Sequence, residues 1–62
     1  MKTGEMLTVT AVYYDINGYG VAKTEGFVVF VRGLMVGEEA EVQVINSRRN
    51  YAYAKVRRLV TF

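Results

Sequence analysis

Five of the six glycines of this 62-residue chain fall between positions 18 and 37, where they bracket short apolar runs. Glycine adopts positive φ at little steric cost, so valine- and phenylalanine-rich runs between glycines are typical of short strands joined by tight turns. Thr24, Glu25 and Gly26 separate two such runs and have the length of a hairpin connection. The sequence therefore predicts a β-hairpin over residues 19–31.

Alternation of apolar and polar residues extends this prediction to five strands. They are expected at residues 6–14, 19–24, 27–31, 39–46 and 51–59. A turn at Asn17 and Gly18 separates the first two. Leu34, Met35 and Val36 lie in the loop before the fourth strand and are expected to close one end of the fold. The side chains expected to face the core are Leu7, Val9, Ala11, Tyr13, Ala40, Val42, Val44, Ala52, Ala54 and Val56.

A chain of this length makes one domain, which buries only about 60% of the surface of its unfolded form. It has no cysteine for a disulfide or a zinc site, so its 52% hydrophobic content must supply the whole core. Closing a small sheet on itself also removes exposed edges. The predicted fold is therefore all-β: a small five-stranded closed barrel, OB-like or SH3-like, in one domain with its core at about 6–60.

The location of the protein is predicted from what the chain lacks. No apolar run approaches the ~20 residues of a membrane span, and no signal-type segment follows Met1. The lack of cysteine fits a reducing compartment. We expect a soluble, cytoplasmic, monomeric protein that does not contact membranes.

Residues that usually carry catalysis are scarce. The chain has no histidine and no cysteine, and Ser47 has no base partner. Gly18 and Gly20 lack the third glycine of a dinucleotide-binding loop, and no calcium-loop spacing is present. The sequence therefore predicts no catalytic residue, no metal site and no cofactor site, and the chain alone is not expected to be an enzyme.

Charge is distributed unevenly along the chain. Residues 1–46 carry three cations and six acids, whereas residues 47–62 carry five cations and no acid. Such asymmetry indicates an anionic partner that meets one side of the molecule. The alternative is a solvated basic edge strand, on which lysine and arginine discourage association between sheets.

Aromatic residues and cations are interleaved in the last predicted strand. Tyr51, Tyr53, Lys55 and Arg57 are expected on its outer face, opposite the alanines. The neighbouring hairpin and the turn before the strand add Lys23, Phe27, Arg32, Arg48 and Arg49. Single-stranded RNA offers base faces that stack on rings and phosphates that attract cations. We therefore predict RNA binding here; the alternative is that the tyrosines are half-buried rim residues with hydroxyls in water.

Phe27 and Phe30 are three positions apart and point to opposite faces of a regular strand. If the strand is regular, Phe30 shares the core with Val28, and Phe27 lies outside with Val29. We accordingly expect Phe27 to be exposed and Phe30 to be buried, unless a bulge brings both rings to the surface.

Four segments together resemble one family. They are Asn-Gly-Tyr-Gly-Val-Ala-Lys at 17–23, Gly-Phe-Val-Val-Phe-Val at 26–31, Gly33 with Gly37-Glu38, and Tyr-Ala-Tyr-Ala-Lys-Val at 51–56. In this spacing of glycines, Phe-Val and Tyr-Ala, the chain resembles the TRAM domain over about residues 6–60. It departs from the family at Arg32, where many members have proline, and at residues 34–36, where Ala-Leu-Pro is more usual.

The resemblance implies an OB-like five-stranded barrel that binds tRNA or rRNA. Carried onto matching positions, the family's RNA contacts fall on Lys23, Phe27, Phe30 and Tyr51, with loop cations nearby. For Phe30 this disagrees with the alternation argument above. The predicted RNA-binding residues are thus Lys23, Phe27, Phe30, Arg32, Arg48, Arg49, Tyr51, Tyr53, Lys55 and Arg57.

Three functions follow as alternatives. The favoured one is the N-terminal RNA-binding domain of an S-adenosylmethionine-dependent RNA uridine-5 methyltransferase, because the domain starts near Met1 and the chain stops at Phe62 without a capping segment. A catalytic domain in the same polypeptide would then bind S-adenosylmethionine. The second is a complete stand-alone TRAM protein that acts as a cold-shock-like RNA chaperone. The third is an SH3-like module that binds an acidic or proline-rich peptide with the same tyrosines.

Overall fold

The computed structural model describes residues 2–24 and 26–60. Glu25, which we placed in the hairpin turn, lies outside them. Secondary structure consists of six strands in these residues: β1 (Met6–Thr10), β2 (Tyr13–Tyr14), β3 (Gly20–Thr24), β4 (Phe27–Arg32), β5 (Glu39–Ser47) and β6 (Tyr51–Leu59). None of these described residues forms a helix of the length and hydropathy needed to cross a membrane.

All six strands belong to one sheet, in the order β1-β5-β6-β4-β3-β2. Neighbouring strands are antiparallel except β4 and β6, which are parallel. The two strands at the ends of this order, β1 and β2, follow each other in the chain. The sheet therefore curls into a barrel-like shape, and the all-β prediction is confirmed.

The strand count differs from the prediction because the expected first strand is interrupted at Ala11 and Val12. The Ala11 N–H donates to the Glu38 carbonyl oxygen at 3.2 Å, and the Val12 N–H donates to that of Val21 at 2.8 Å. Before this point the chain pairs with β5, and after it the chain pairs with β3. The predicted first strand is therefore two strands, β1 and β2, which pair with different neighbours, β5 and β3.

The core is built from small and branched side chains on the inner face. Val42, Ala40 and Ala52 are 0% exposed, and Val9, Ala11, Val44 and Ala54 are at most 5% exposed. Leu7 and Val56 are partly buried against this cluster. The predicted alternation of β5 and β6 is therefore confirmed.

Three residues that we expected inside are exposed instead. Tyr13 is 47% exposed, because it lies beyond the interruption and pairs with Val21 on the outer face. Met35 and Val36 are 59% and 43% exposed, so Leu34 alone (1%) closes the end of the barrel. The end of this loop is held to the chain at Ala11, whose carbonyl oxygen accepts a hydrogen bond from the Gly37 N–H at 3.0 Å.

Gly20 explains how Leu34 can reach its place. A Cβ atom at this position would collide with the Leu34 backbone carbonyl. The glycine therefore allows the loop to lie directly on β3. By contrast, Gly18 (φ 84°) and Gly26 (φ 82°) supply the positive φ of the two predicted turns.

The predicted orientation of β4 was wrong. Val29 and Val31 are both 0% exposed, whereas Val28 and Phe30 are half-buried on the outer face. Val29 and Val31 pair with Ala52 and Ala54 of β6, and this narrow interior is filled by valine against alanine. Phe27 is half-buried at the hairpin rather than fully exposed.

Candidate nucleic-acid interface

The parallel pairing of β4 with β6 brings five of the ten predicted site residues together on the outer face. Val28 is paired with Tyr51, Phe30 with Tyr53, and Arg32 with Lys55. Paired residues point to the same side of a sheet. One face of two strands therefore carries an apolar residue, three rings and two cations.

Four rings make up what we call the aromatic cluster: Tyr19, Phe30, Tyr51 and Tyr53. Phe30 stacks on Tyr53 with ring centroids 5.3 Å apart and an interplanar angle of 29°. The edge-to-face pairs are Phe30–Tyr51 at 6.0 Å, Tyr51–Tyr53 at 5.8 Å and Tyr19–Tyr53 at 6.0 Å. These separations lie within the favourable range for ring pairs, so each ring holds its neighbours in place.

The cluster is supported from below but open to solvent. Val21, which pairs with both Tyr13 and Phe30, is 0% exposed, so the rings cover it. Tyr51 and Tyr53 nevertheless keep 38% and 36% of their surface exposed. Preoriented rings with accessible faces are what base stacking requires.

Arg32 and Lys55 form the basic end of this face. They are directly opposite each other and, with Tyr19 and Tyr53, line a depression of about 400 Å³. Like charges placed opposite each other on a sheet repel. An anion between them removes that repulsion, so this position favours a negatively charged ligand.

Lys23 lies at the other end of the face, and Phe27, which alternates to the other side of β4, lies beside it at the hairpin. Lys23 pairs with Val28, so its side chain is on the side that carries Tyr51. Lys23 and Phe27 line a second depression with Thr24, Gly26 and Val28. Lys23 therefore shares the outer face with Tyr51, whereas Phe27 meets this depression from the hairpin.

The turn before β6 is fixed by backbone hydrogen bonds. The Arg48 N–H donates to the Tyr51 carbonyl oxygen at 2.8 Å, and the Val28 N–H donates to that of Asn50 at 3.2 Å. Arg48 and Arg49 are exposed at the tip, next to the Tyr51 end of the aromatic cluster. Asn50 lines a central depression of about 440 Å³ with Tyr13, Val28, Phe30, Tyr51 and Tyr53.

Arg57 lies where the regular alternation of β6 breaks down. Val42 pairs with Val56 and Glu41 with Arg58, so Arg57 is the extra residue of a bulge. Arg57 is exposed, but Arg58, which we did not include in the site, occupies the outward position opposite Glu41. The Arg58 Nε lies 3.8 Å from Glu41 Oε1.

Sequence reasoning left Tyr13, Tyr19 and Asn50 out of the predicted site. Tyr19 lies between two glycines, a position typical of a turn, and the contact with Tyr53 depends on the parallel pairing of β4 and β6. Asn50 carries no pattern in the sequence. Tyr14 faces elsewhere, where its hydroxyl accepts a hydrogen bond from the Val36 N–H at 3.1 Å.

The side chains on the outer face are of the kinds that bind planar and anionic groups. Within residues 2–24 and 26–60, no group of three or more acidic, histidine or cysteine side chains could hold a metal ion. The functional groups that converge on the outer face are rings, cations and an amide. They can stack on planar groups and pair with anions.

Comparison with protein families gives a match over most of the chain. A family model described as the TRAM domain matches residues 2–56. This agrees with the resemblance noted from the glycine spacing and the Phe-Val and Tyr-Ala segments.

Curated relatives are RNA methyltransferases by name. The 23S rRNA (uracil(1939)-C(5))-methyltransferase RlmD of Pectobacterium carotovorum is 49% identical over 55 residues, which is 89% of this chain and 12% of the relative. The same enzyme from Edwardsiella ictaluri is 41% identical, over 95% of this chain and 14% of the relative. An uncharacterized RNA methyltransferase of Bacillus cereus is 34% identical, over 86% and 12%. The chain therefore spans only about an eighth of the length of these relatives.

A solved structure resembles the whole fold. The solution structure of a conserved protein of Methanococcus maripaludis matches with a TM-score of 0.82 and 30% sequence identity. The match covers 90% of this chain and 80% of that protein.

Proposed function

This chain belongs to the TRAM domain family, and on that premise we propose that its outer face binds single-stranded RNA. Bases stack on the aromatic cluster, while phosphates pair with the cations at the two ends of the face and at the turn tip. Specificity for unpaired RNA follows, because base faces are accessible only where a strand is not in a duplex.

One observation carries this proposal: the parallel register that sets Phe30 beside Tyr53 and Arg32 beside Lys55. Rings that served only to pack the core would be expected to point inward. Cations that served only to keep the surface soluble would be expected beside acidic side chains. Here the rings are held together with Tyr51 and Tyr53 partly exposed, next to two paired like charges. Stacking on one such ring contributes about 1–3 kcal/mol per base.

We propose that this chain is the N-terminal RNA-binding domain of a larger protein. That protein would be an S-adenosylmethionine-dependent RNA uridine-5 methyltransferase that acts on rRNA. The names and identity levels of the relatives support this. In such a protein the catalytic domain, and not this chain, binds S-adenosylmethionine and transfers the methyl group. The role of this chain is to hold the substrate RNA.

The stand-alone alternative also has a supporting observation. The match to the Methanococcus maripaludis protein covers 80% of that protein, so a TRAM fold can make up most of a small protein. The sequence of the gene beyond Phe62 separates the two possibilities. An open reading frame that continues into a methyltransferase supports the first, and a stop codon supports an RNA chaperone. The SH3-like alternative is not retained, because the chain belongs to the TRAM family.

RNA binding is tested by titrating the ¹⁵N-labelled 62-residue chain with short single-stranded oligoribonucleotides. We expect amide shifts concentrated in β4, in β6 and in the turn at Asn50. Affinity should fall with salt by a log–log slope of about −0.7 per neutralised phosphate. The absence of shifts at millimolar RNA would contradict the proposal.

The turn tip supplies a variant for the same titration. Arg48→Ala combined with Arg49→Ala should weaken binding and reduce the salt slope, because both cations are exposed beside the aromatic cluster. Lys2→Ala, at the far end of the chain, is the matched control. Equal affinity of the double variant and the control would remove the turn from the interface.

A further inference from the structure

The three depressions of the outer face are neighbours. The hairpin depression at Lys23 and the central depression share Val28. The central depression and the basic one at Arg32 and Lys55 share Tyr53. They lie in a row along β4 and β6, and we call this row the track.

The track is apolar and aromatic in the middle and basic at both ends. Lys23 lies in the hairpin depression, and Arg32 and Lys55 lie in the basic one. The central depression is lined by rings, Val28 and the amide of Asn50. Val28 and Arg32 mark the two ends on β4, four residues or about 13 Å apart at 3.3 Å per residue. An extended unpaired strand spaces its phosphates roughly twice as far apart as the 3.4 Å rise of a stacked duplex, so this distance covers about three nucleotides.

Rings in the central depression are too close together to admit a base between them. Phe30 and Tyr53 are 5.3 Å apart, whereas a sandwiched base would need about twice the 3.4 Å stacking distance. A base must therefore lie on the open ring faces, with one edge left free. Asn50 also lines the central depression, and its backbone carbonyl accepts a hydrogen bond from the Val28 N–H, so its side-chain amide can offer one donor and one acceptor to a base bound there.

Building on the RNA binding proposed above, we propose that the track is a site for about three consecutive unpaired nucleotides. Phosphates at its two ends pair with Lys23 and with Arg32 and Lys55. A base in the middle stacks on the aromatic cluster, and Asn50 reads its edge. Base preference therefore comes from one position, and the ends of the track contribute affinity without preference.

The length of the track is tested with uridine oligoribonucleotides of two, three, four, six and eight residues, titrated into the 62-residue chain. Affinity should rise steeply up to about three nucleotides and then only by the statistical factor of additional binding registers. A steady increase in affinity through eight nucleotides would contradict a binding site of this limited length. It would not contradict RNA binding by the outer face.

The two basic ends are tested together by Lys23→Gln combined with Lys55→Gln. If each lysine meets one phosphate, the log–log salt slope should become shallower by about 1.4. Lys2→Gln is the matched control, and its slope should be that of the unmodified chain. An unchanged slope in the double variant, measured on protein with an unaltered amide spectrum, would overturn the placement of phosphates at the ends.

The role of Asn50 is tested by Asn50→Ala with a panel of tetranucleotides that differ in base. The variant should lose the differences in affinity among them, while Asn17→Ala, at an exposed turn away from the track, keeps them. Equal preferences in both variants would overturn base reading by Asn50. If no single-stranded RNA binds to any form of the chain, the proposed function fails together with the track.

Discussion

The inner and outer faces of the same sheet are made from different residues, and β6 shows the difference within one strand. Ala52 and Ala54 face inward at 0% and 2% exposure, whereas Tyr51 and Tyr53 face outward at 38% and 36%. No aromatic residue is buried in the described part of the chain. A small domain usually needs large apolar side chains inside. Here the largest rings lie outside, which indicates that they have a use other than packing the core.

Charge separates the two faces as well. No polar or charged side chain is buried among residues 2–24 and 26–60, so the interior is purely apolar. Arg32 and Lys55, by contrast, lie beside the rings on the outer face. We infer a division of labour in which the inner face provides stability and the outer face provides binding. Substitutions on each face should therefore change one property and leave the other nearly unchanged.

The largest effect is expected from Gly20→Ala, which acts on the inner side. The new methyl group would collide with the Leu34 carbonyl, a backbone atom that cannot move without displacing the loop. We expect a loss of about 3 kcal/mol or more in the free energy of unfolding, measured by urea denaturation. Gly26→Ala is the control: its Cβ meets nothing within 4 Å, so only its positive φ costs about 1–2 kcal/mol. Equal losses in the two variants would mean that the close contact at Gly20 is not needed.

Val42→Ala removes two methyl groups from the centre of the core. Val42 is 0% exposed, so we expect a loss of about 1–3 kcal/mol in the free energy of unfolding. RNA affinity of the folded variant should not change. Val12→Ala, at a 56% exposed position, makes the same chemical change and should cost less than about 0.5 kcal/mol. A weaker RNA affinity of folded Val42→Ala would break the proposed separation of the two faces.

Tyr51→Ala tests the outer face, where we expect a change in RNA affinity that is larger than the change in stability. Loss of one stacking platform should weaken RNA binding by about 1–3 kcal/mol, measured by fluorescence anisotropy. Stability should fall by only about 1 kcal/mol, through lost ring contacts with Phe30 and Tyr53. Tyr51→Phe keeps the ring and should keep the affinity. If both variants bind RNA as the unmodified chain does, Tyr51 is only a half-buried rim residue with its hydroxyl in water.

Local patterns in the sequence predicted much of the inner face. The alternation in residues 39–46 and 51–56 identified Ala40, Val42, Ala52 and Ala54 as core residues, and all are buried. Positive φ at Gly18 was expected from its Asn-Gly turn. These features depend on neighbours within a few residues, which is why a sequence can reveal them.

The outer face was harder to predict because it depends on pairing between distant parts of the chain. Nothing local indicates that β4 pairs in parallel with β6, yet that register places Phe30 beside Tyr53. Alternation alone allows two orientations of β4, which differ in whether Phe27 or Phe30 points to the core. Our prediction that Phe30 is buried was wrong. Valine at 29 and 31 fits opposite the alanines, whereas a ring would not. The bulge at Arg57 depends in the same way on its partner strand.

The smallest effect is expected at Glu41 and Arg58, where the acidic and basic parts of the chain meet on adjacent strands. The pair is long, at 3.8 Å, and its side chains are 38% and 69% exposed, so Glu41→Gln should change stability by less than about 0.5 kcal/mol. Its effect on binding should be an increase in RNA affinity of a few-fold, larger at low salt, because a negative charge beside the basic strand is lost and Arg58 is released. Arg58→Gln should do the reverse. The opposite result would be a loss of more than about 1 kcal/mol in stability with no change in RNA affinity. In that case the outer face beyond the bulge at Arg57 would contribute to stability and not to binding.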